Sequence, residues 1–409
     1  MVIRGQLVNI MCDIDSRYRK YVSTDEKGNK TLYVHITKAI YGMLVSAMLF
    51  YRKLVKDLKK LNFEINPYDP CVANRYVKNL QQTVSWHVDD LKFSHMDSQV
   101  NDDLLKTLDK LYGKIAKVKS TRGKRHEYTG MILDYSKKGK LIIDMSRHTK
   151  DMVKTFPKEF IPRRKVSSPA SDDIFKVNET SQALPSDLAE VFHTVAAKGL
   201  FICKRARPDF GVSVSYLTSR VREPNQDDMT KMGRMIRFAM DTADDVLELE
   251  MDDSGIIRWY IDASFAVHPN MRSQTGAAMT MGKGSPIVIS RKQSMNTRSS
   301  TEAELIGVDD VMSNIIWATN FLVAQGIKIK NTIIYQDNKS AILLEKNGLK
   351  SAGKRSRHLN IRHFFVTDQI RKGIIEVKYC HTDDMISDYL TKPLHGWKFD
   401  KFRHLMMGQ

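Results

Sequence analysis

Residues 83–95, TVSWHVDDLKFSH, alternate with period two on both sides of an acidic pair: Val84, Trp86 and Val88 lead in, and Leu91 and Phe93 lead out. Such alternation predicts a hairpin. Aspartate favours turns over strands, so the turn is expected at Asp89 and Asp90, with both side chains at the exposed tip. Upstream, Leu49, Phe50, Leu54, Leu58 and Leu61 recur at helical spacing within 44–63 and lysines fill the opposite face. Pro67 and Pro70 end that helix before a strand over 71–77. Another short strand, 31–36, follows a turn at 27–30. A second amphipathic helix over 101–116 uses Leu105, Leu108 and Tyr112, and a hairpin over 128–145 turns at Lys137-Lys138-Gly139-Lys140. Helices and hairpins alternating about one sheet make an α+β layer.

Residues 157–173, rich in proline, serine and basic side chains, mark a first boundary. Residues 186–240 read as helical with breaks at Pro208 and Pro224, and an acidic, polar stretch at 242–255 marks a second boundary. The C-terminal third predicts strands at 256–265, 275–281 and 286–291, then a helix at 301–324 whose apolar stripe is Leu305, Val308, Met312, Ile315 and Leu322. A strand at 332–336, a helix, a strand at 374–379 and a short helix carrying Asp388, closed by Pro393, complete the order β-β-β-α-β-α-β-α. The fold expected is a multidomain chain, α+β first and α/β last. Its first 22 residues read as a chain entered in mid-fold.

Length and charge narrow the function classes. The 409 residues are 42% hydrophobic, which excludes a disordered chain. Lys and Arg number 65 against 47 Asp and Glu, a net charge of +18 spread along the chain, which suits contact with a nucleic-acid backbone. The four cysteines lie far apart with no Cys-x-x-Cys pair, as in a reducing compartment. No signal-peptide core stands at the N-terminus, and no apolar run approaches the roughly 20 residues needed to span a bilayer. An intracellular protein without a membrane partner is expected.

The acidic residues carry the candidate chemistry. Asp262, Glu302, Asp337 and Asp388 each fall at a strand end or on a helix beside one, and such ends converge in an α/β sheet. Four carboxylates without thiolates or several imidazoles suit two Mg²⁺ ions, with Mn²⁺ as a substitute, for phosphodiester hydrolysis. Simpler roles compete: Glu302 as the acid of a capping box opened by Ser299, and Asp337 as a helix N-cap. Lys204, Arg205, Arg207, Arg220 and Arg222 form either a solvated face or a phosphate-tracking groove. His358, His363 and Cys380 match no zinc spacing.

Taken together, these motifs resemble the C-terminal part of a copia-type LTR retrotransposon Pol polyprotein. His87-Val88-Asp89-Asp90 resembles the Tyr-x-Asp-Asp box of a reverse transcriptase palm, Lys38-Ala39-Ile40-Tyr41-Gly42 a segment upstream of it, and Arg207-Pro208-Asp209 a tripeptide of the connection. Tyr260-Ile261-Asp262-Ala263-Ser264, Ser300-Thr301-Glu302-Ala303-Glu304, Gln336-Asp337-Asn338 and Asp388-Tyr389-Leu390-Thr391-Lys392-Pro393 resemble the ribonuclease H motifs, in order.

The resemblance implies a partial palm over 1–156, a helical thumb and connection over 157–250 and a ribonuclease H-like domain over 251–400. Asp89 and Asp90 would be polymerase metal ligands, and Asp262, Glu302, Asp337 and Asp388 would hold Mg²⁺ for cleavage of RNA in RNA:DNA hybrids. An RNA template and a DNA primer are the implied polymerase partners, and the cytoplasm, virus-like particles or the nucleus the implied location. The family's palm needs a third aspartate on an earlier strand. Asp13 and Asp15 stand where a substitute would have to come from, without the small and aromatic residues that follow the family's aspartate. The polymerase site is therefore expected to be incomplete, and His87 replaces the family's tyrosine. Lys354, Arg355 and Arg357 are expected to contact hybrid phosphates, while His381, where other ribonucleases H place a histidine, is read as an exposed loop residue. A decayed element that binds nucleic acid without turnover is the alternative.

Overall fold

The alternation about the acidic pair becomes an antiparallel ladder, Leu80–His87 against Asp90–Ser94, in which Val84 and Trp86 point inward and are buried. The computed structural model describes residues 1–37, 40, 43–348 and 360–409. Lys38, Ala39, Tyr41 and Gly42 of the upstream motif, and Lys354, Arg355, Arg357 and His358, lie outside the described residues. The chain forms two compact units, one of residues 1–65 with 71–98 and the other of 66–70 with 99–409.

In the first unit, the ladder extends through Val72–Val77 to Glu64–Ile65, a four-stranded antiparallel sheet. Helix Leu44–Lys60 buries Leu54 and Leu58 of the stripe read from sequence, while Leu49 is exposed and Leu61 caps the helix. The first 22 residues, left without elements at the level of sequence, form strand Val2–Arg4 and helix Gln6–Ile14, and the strand expected at 31–36 appears as Lys30–Tyr33, paired with Val22–Thr24. Val8, Cys12 and Leu32 are its core.

The second unit holds two five-stranded sheets. One is antiparallel and runs Gly282–Lys283, Leu247–Met251, Lys140–Asp144, Met131–Asp134, Arg125–Tyr128. It thus joins strands from all three stretches that the composition separates. Helices Ser146–Thr155, Ser186–Cys203, Gly211–Ser219 and Gln226–Asp241 share a core with Phe399, Phe402 and Met406 of the C-terminal helix Gly396–Met407.

The other sheet runs Ile287–Lys292, Gln274–Thr280, Ile256–Ser264, Asn331–Gln336, Glu376–Tyr379. Its first three strands are antiparallel, and the last two add parallel to Ile256–Ser264. Helix Ser300–Ala324 covers one face, packing Val308, Val311, Met312 and Ile315 onto Ile257, Trp259, Ile261 and Ile334. Two helices, Lys339–Asn347 and Asn360–Arg371, stand between the last two strands where one was expected. The second lacked a readable apolar stripe. Among the described residues no helix is long and apolar enough to cross a membrane.

Candidate metal centre

Asp262 lies near the C-terminal end of the central strand Ile256–Ser264 and is buried. The parallel neighbour Asn331–Gln336 ends one residue before Asp337. Parallel strands finish on the same side of a sheet, so both carboxylates emerge together. A third comes from helix Ser300–Ala324: Glu304 shares the buried stripe of Val308, Val311 and Ile315 and is 5% exposed. Carboxylate oxygens of Asp262, Glu304 and Asp337 lie within 4.8 Å of one another, the one such group of three among the described residues.

Glu302 does not join it. Residues two apart on a helix face different ways. The Glu302 N–H donates to Ser299 Oγ at 3.2 Å, and its Oε2 accepts from the Arg298 N–H at 2.7 Å, so Glu302 caps the helix while Glu304 enters the cluster. Extending the stripe Val308–Met312–Ile315 one turn back reaches residue 304, a signal that was present in the sequence. Asp337 is not an N-cap; Asn338 fills that role by accepting from the N–H groups of Ser340 and Ala341.

Asp388 is buried on the short helix Asp388–Thr391 beside the cluster. Lys392 Nζ donates to its Oδ1 at 2.6 Å and stands 3.4 Å from Asp262 Oδ2. The Thr391 hydroxyl donates to Asp262 Oδ2, and the Thr382 hydroxyl to Asp337 Oδ2 at 2.9 Å. None of these three supporting residues was singled out from sequence. The helix comes this close because Gly276, paired with Asp262 in the ladder, has no side chain: a Cβ there would stand 2.6 Å from Thr391 Cγ2 and 2.8 Å from the Ser387 carbonyl.

Burial, with the charges of Asp262 and Asp337, raises the Glu304 carboxyl well above the ordinary range. Burial and Asp262 raise Asp388 to about 6, against the pull of Lys392. Glu304 Oε2 is buried with no hydrogen-bond partner. A buried carboxylate oxygen without a donor, aimed among two further carboxylates, fits a hard oxygen-seeking cation. Asp262, Glu304 and Asp337 would hold it.

The other acidic candidates form no such group among the described residues. The hairpin turn falls on Val88 and Asp89, one residue earlier than expected, because His87 pairs with Asp90 across the ladder. Val88 adopts φ +54°, uncommon for a β-branched residue. Asp89 and Asp90 are exposed, and among the described residues they form no group of three with another carboxylate, histidine or cysteine. Asp15 is engaged by Arg17 at 2.7 Å, whose hydrogen bonds lower its pKa, and Asp13 lies 3.6 Å from Arg19. His381 is exposed and caps a 3₁₀ turn, accepting from the Asp383 N–H at 3.2 Å. Burial pushes the Cys380 thiol up to about 11, and the described residues contain no zinc-like cluster.

The basic helical residues divide. Arg207 belongs to neither a solvated face nor a groove: it is wholly buried, donating to both oxygens of Asp209 at 2.8 and 2.9 Å. Arg220 pairs with Asp228 at 3.0 Å, Arg205 lies over the Phe201 ring, Lys204 donates to the Val288 carbonyl, and Arg222 is exposed.

On the helix Lys339–Asn347 that follows Asp337, Glu345 is completely buried, and burial pushes its carboxyl up from 4.5 to about 8. The Gln336 amide nitrogen, turned toward it, lies 3.2 Å from both oxygens. Folded chains keep this proton where unfolded chains lose it, so stability falls as pH rises from 4.5 to about 8. The slope is up to about 1.4 kcal/mol per pH unit. Glu345→Gln is expected to remove this contribution, leaving urea midpoints at pH 5.5 and 8 closer together than in the parent chain. An unchanged difference would show that Glu345 ionises freely.

No family model matches the chain. It is 24% identical over 392 residues to the retrovirus-related Pol polyprotein from transposon TNT 1-94 of Nicotiana tabacum, covering 93% of this chain and 28% of that protein. To the Pol polyprotein from transposon RE2 of Arabidopsis thaliana it is 29% identical over 198 residues, 48% of this chain and 14% of that protein. The Ty1-DR5 Gag-Pol polyprotein of Saccharomyces cerevisiae is 22% identical over 375 residues, 88% of this chain and 21% of its own length. The chain thus spans between about a seventh and three tenths of the length of these relatives. Among solved structures, a foamy viral protease-reverse transcriptase in complex with dsDNA superposes with a TM-score of 0.44 at 15% identity, covering 90% of this chain and 64% of that one.

Proposed function

We propose that this chain, whose homologues are copia-type retrotransposon Pol polyproteins, joins reverse transcriptase palm elements (1–156) through a helical thumb and connection (157–250) to a ribonuclease H-like layer (251–400) that hydrolyses RNA in RNA:DNA hybrids. The observation that carries this reading is the convergence of Asp262, Glu304 and Asp337 around the unpartnered Glu304 oxygen, with Asp388 alongside. Mg²⁺ or Mn²⁺ bound there supplies positive charge that acidifies a water and stabilises the departing oxygen.

The chain's own groups do the rest. Thr391 and Thr382 fix the orientations of Asp262 and Asp337, so the ligand oxygens are preset before any ion arrives. In the reaction the water oxygen bonds to phosphorus, the bond from phosphorus to one ribose oxygen breaks, and the water's proton is passed through solvent to the departing oxygen. The +18 net charge favours the anionic hybrid. Asp89 and Asp90 would serve DNA synthesis on an RNA template and DNA primer; they are exposed and belong to no group of three among the described residues, so the geometry supports the nuclease reading first.

The test is a hybrid with a labelled RNA strand. Cleavage of that strand in Mg²⁺ or Mn²⁺, stopped by a chelator, with a DNA duplex left intact, is the expected result. Folded protein that binds the hybrid yet gives no cleavage with either ion would overturn the reading in favour of a decayed, binding-only element.

A further inference from the structure

We infer that the Lys392 ammonium takes the place of a second cation, so that the site holds a single divalent ion against Asp262, Glu304 and Asp337. The inference rests on the metal-dependent reading above and changes its ion count. Two ions would draw on all four carboxylates for charge and ligands. Here only three gather: the group within 4.8 Å contains Asp262, Glu304 and Asp337 and leaves Asp388 out.

Asp388 is occupied instead by Lys392, whose Nζ lies 2.6 Å from Asp388 Oδ1 and 3.4 Å from Asp262 Oδ2. That position lies between the fourth carboxylate and one of the cluster, so the ammonium already supplies the positive charge that a second cation would bring to this pair. The ammonium is not a passing surface charge. Its backbone follows the short helix Asp388–Thr391, four residues from its partner, and the neighbouring Thr391 hydroxyl holds the same Asp262 oxygen. Two buried carboxylates facing each other need a positive charge between them, and the chain supplies it covalently. A divalent ion entering there would meet like charge and would have to expel the lysine from both partners.

Titrating the full chain with Mn²⁺ and counting bound ions by electron paramagnetic resonance, with Asp262→Asn as the baseline for adventitious surface sites, tests this without reference to turnover. The parent chain is expected to bind one Mn²⁺ above baseline. Lys392→Met, which keeps length and removes charge, is expected to bind two, and Lys392→Arg one. Should Lys392→Met not fold, Lys392→Gln serves, and the parent's own count remains decisive. Two ions in the parent chain, or one in both the parent and the uncharged variant, would overturn this inference and leave the metal-dependent reading standing. No ion above baseline in any folded form would overturn that reading and this inference with it.

Discussion

Glu304→Gln is expected to slow cleavage of a hybrid's RNA strand by about two to three orders of magnitude, and Glu302→Gln to leave the rate within about threefold. The two residues share one helical turn and one chemical class, so the contrast isolates position. Glu304 is buried among Asp262 and Asp337, and glutamine preserves its shape while removing the anionic ligand. Glu302 accepts a backbone hydrogen bond at the rim of the helix, a role glutamine can fill. Asp262→Asn belongs with Glu304→Gln in magnitude, because Asp262 touches both the cluster and Lys392. Initial rates across a Mg²⁺ series would separate lost ion affinity from lost chemistry. Equal losses at 302 and 304 would reject the assignment of Glu304.

Asp209→Ala is expected to lower stability by about 3–5 kcal/mol, because it strands a buried guanidinium. Arg207 and Asp209 are both completely enclosed, and Arg403 reaches Asp209 Oδ2 at 3.0 Å from the C-terminal helix. Burial alone would push the Asp209 carboxyl up, but Arg207 and Arg403 more than offset this and hold it below its ordinary value. The Tyr389 hydroxyl donates to the Asp209 carbonyl at 3.1 Å, so the same tripeptide anchors the helix that carries Asp388. Thermal unfolding should therefore show a transition lowered by roughly 5–10 °C. A shift under about 1 °C would mean that water reaches Arg207 and that the pair contributes little.

Local pattern made much of this architecture legible, and contacts distant in sequence account for what it missed. The strands at 256–265 and 332–336 and the long helix after residue 300 appear within a residue or two of where periodicity puts them, because both faces are packed and the apolar positions leave little choice of register. The choice between Glu302 and Glu304 turned on helical phase: a motif read as a string favours the first acid, whereas the stripe of Val308 and Ile315 favours the second. Arg207 looked like surface because arginine usually is. Its burial depends on Asp209, Thr242 and Arg403, two of which come from elsewhere in the chain. Likewise, nothing local to Thr391 indicates that its hydroxyl reaches Asp262, 129 positions away.

Position 276 contributes no charge, no hydrogen-bonding side chain and no apolar surface, and yet it acts as a spacer gauge for the layer that carries the acidic cluster. A Cβ at that point would come within 2.6–2.9 Å of Thr391, Ser387 and Leu390 around the helix bearing Asp388, and these obstacles include the Ser387 carbonyl, a backbone atom that cannot rotate aside. Any heavier substituent there acts as a wedge on the Asp388 side of the site while leaving every carboxylate in place chemically. Tolerance to change at this position is thus governed by clearance alone, and a survey confined to reactive groups would pass over the residue that sets their separation.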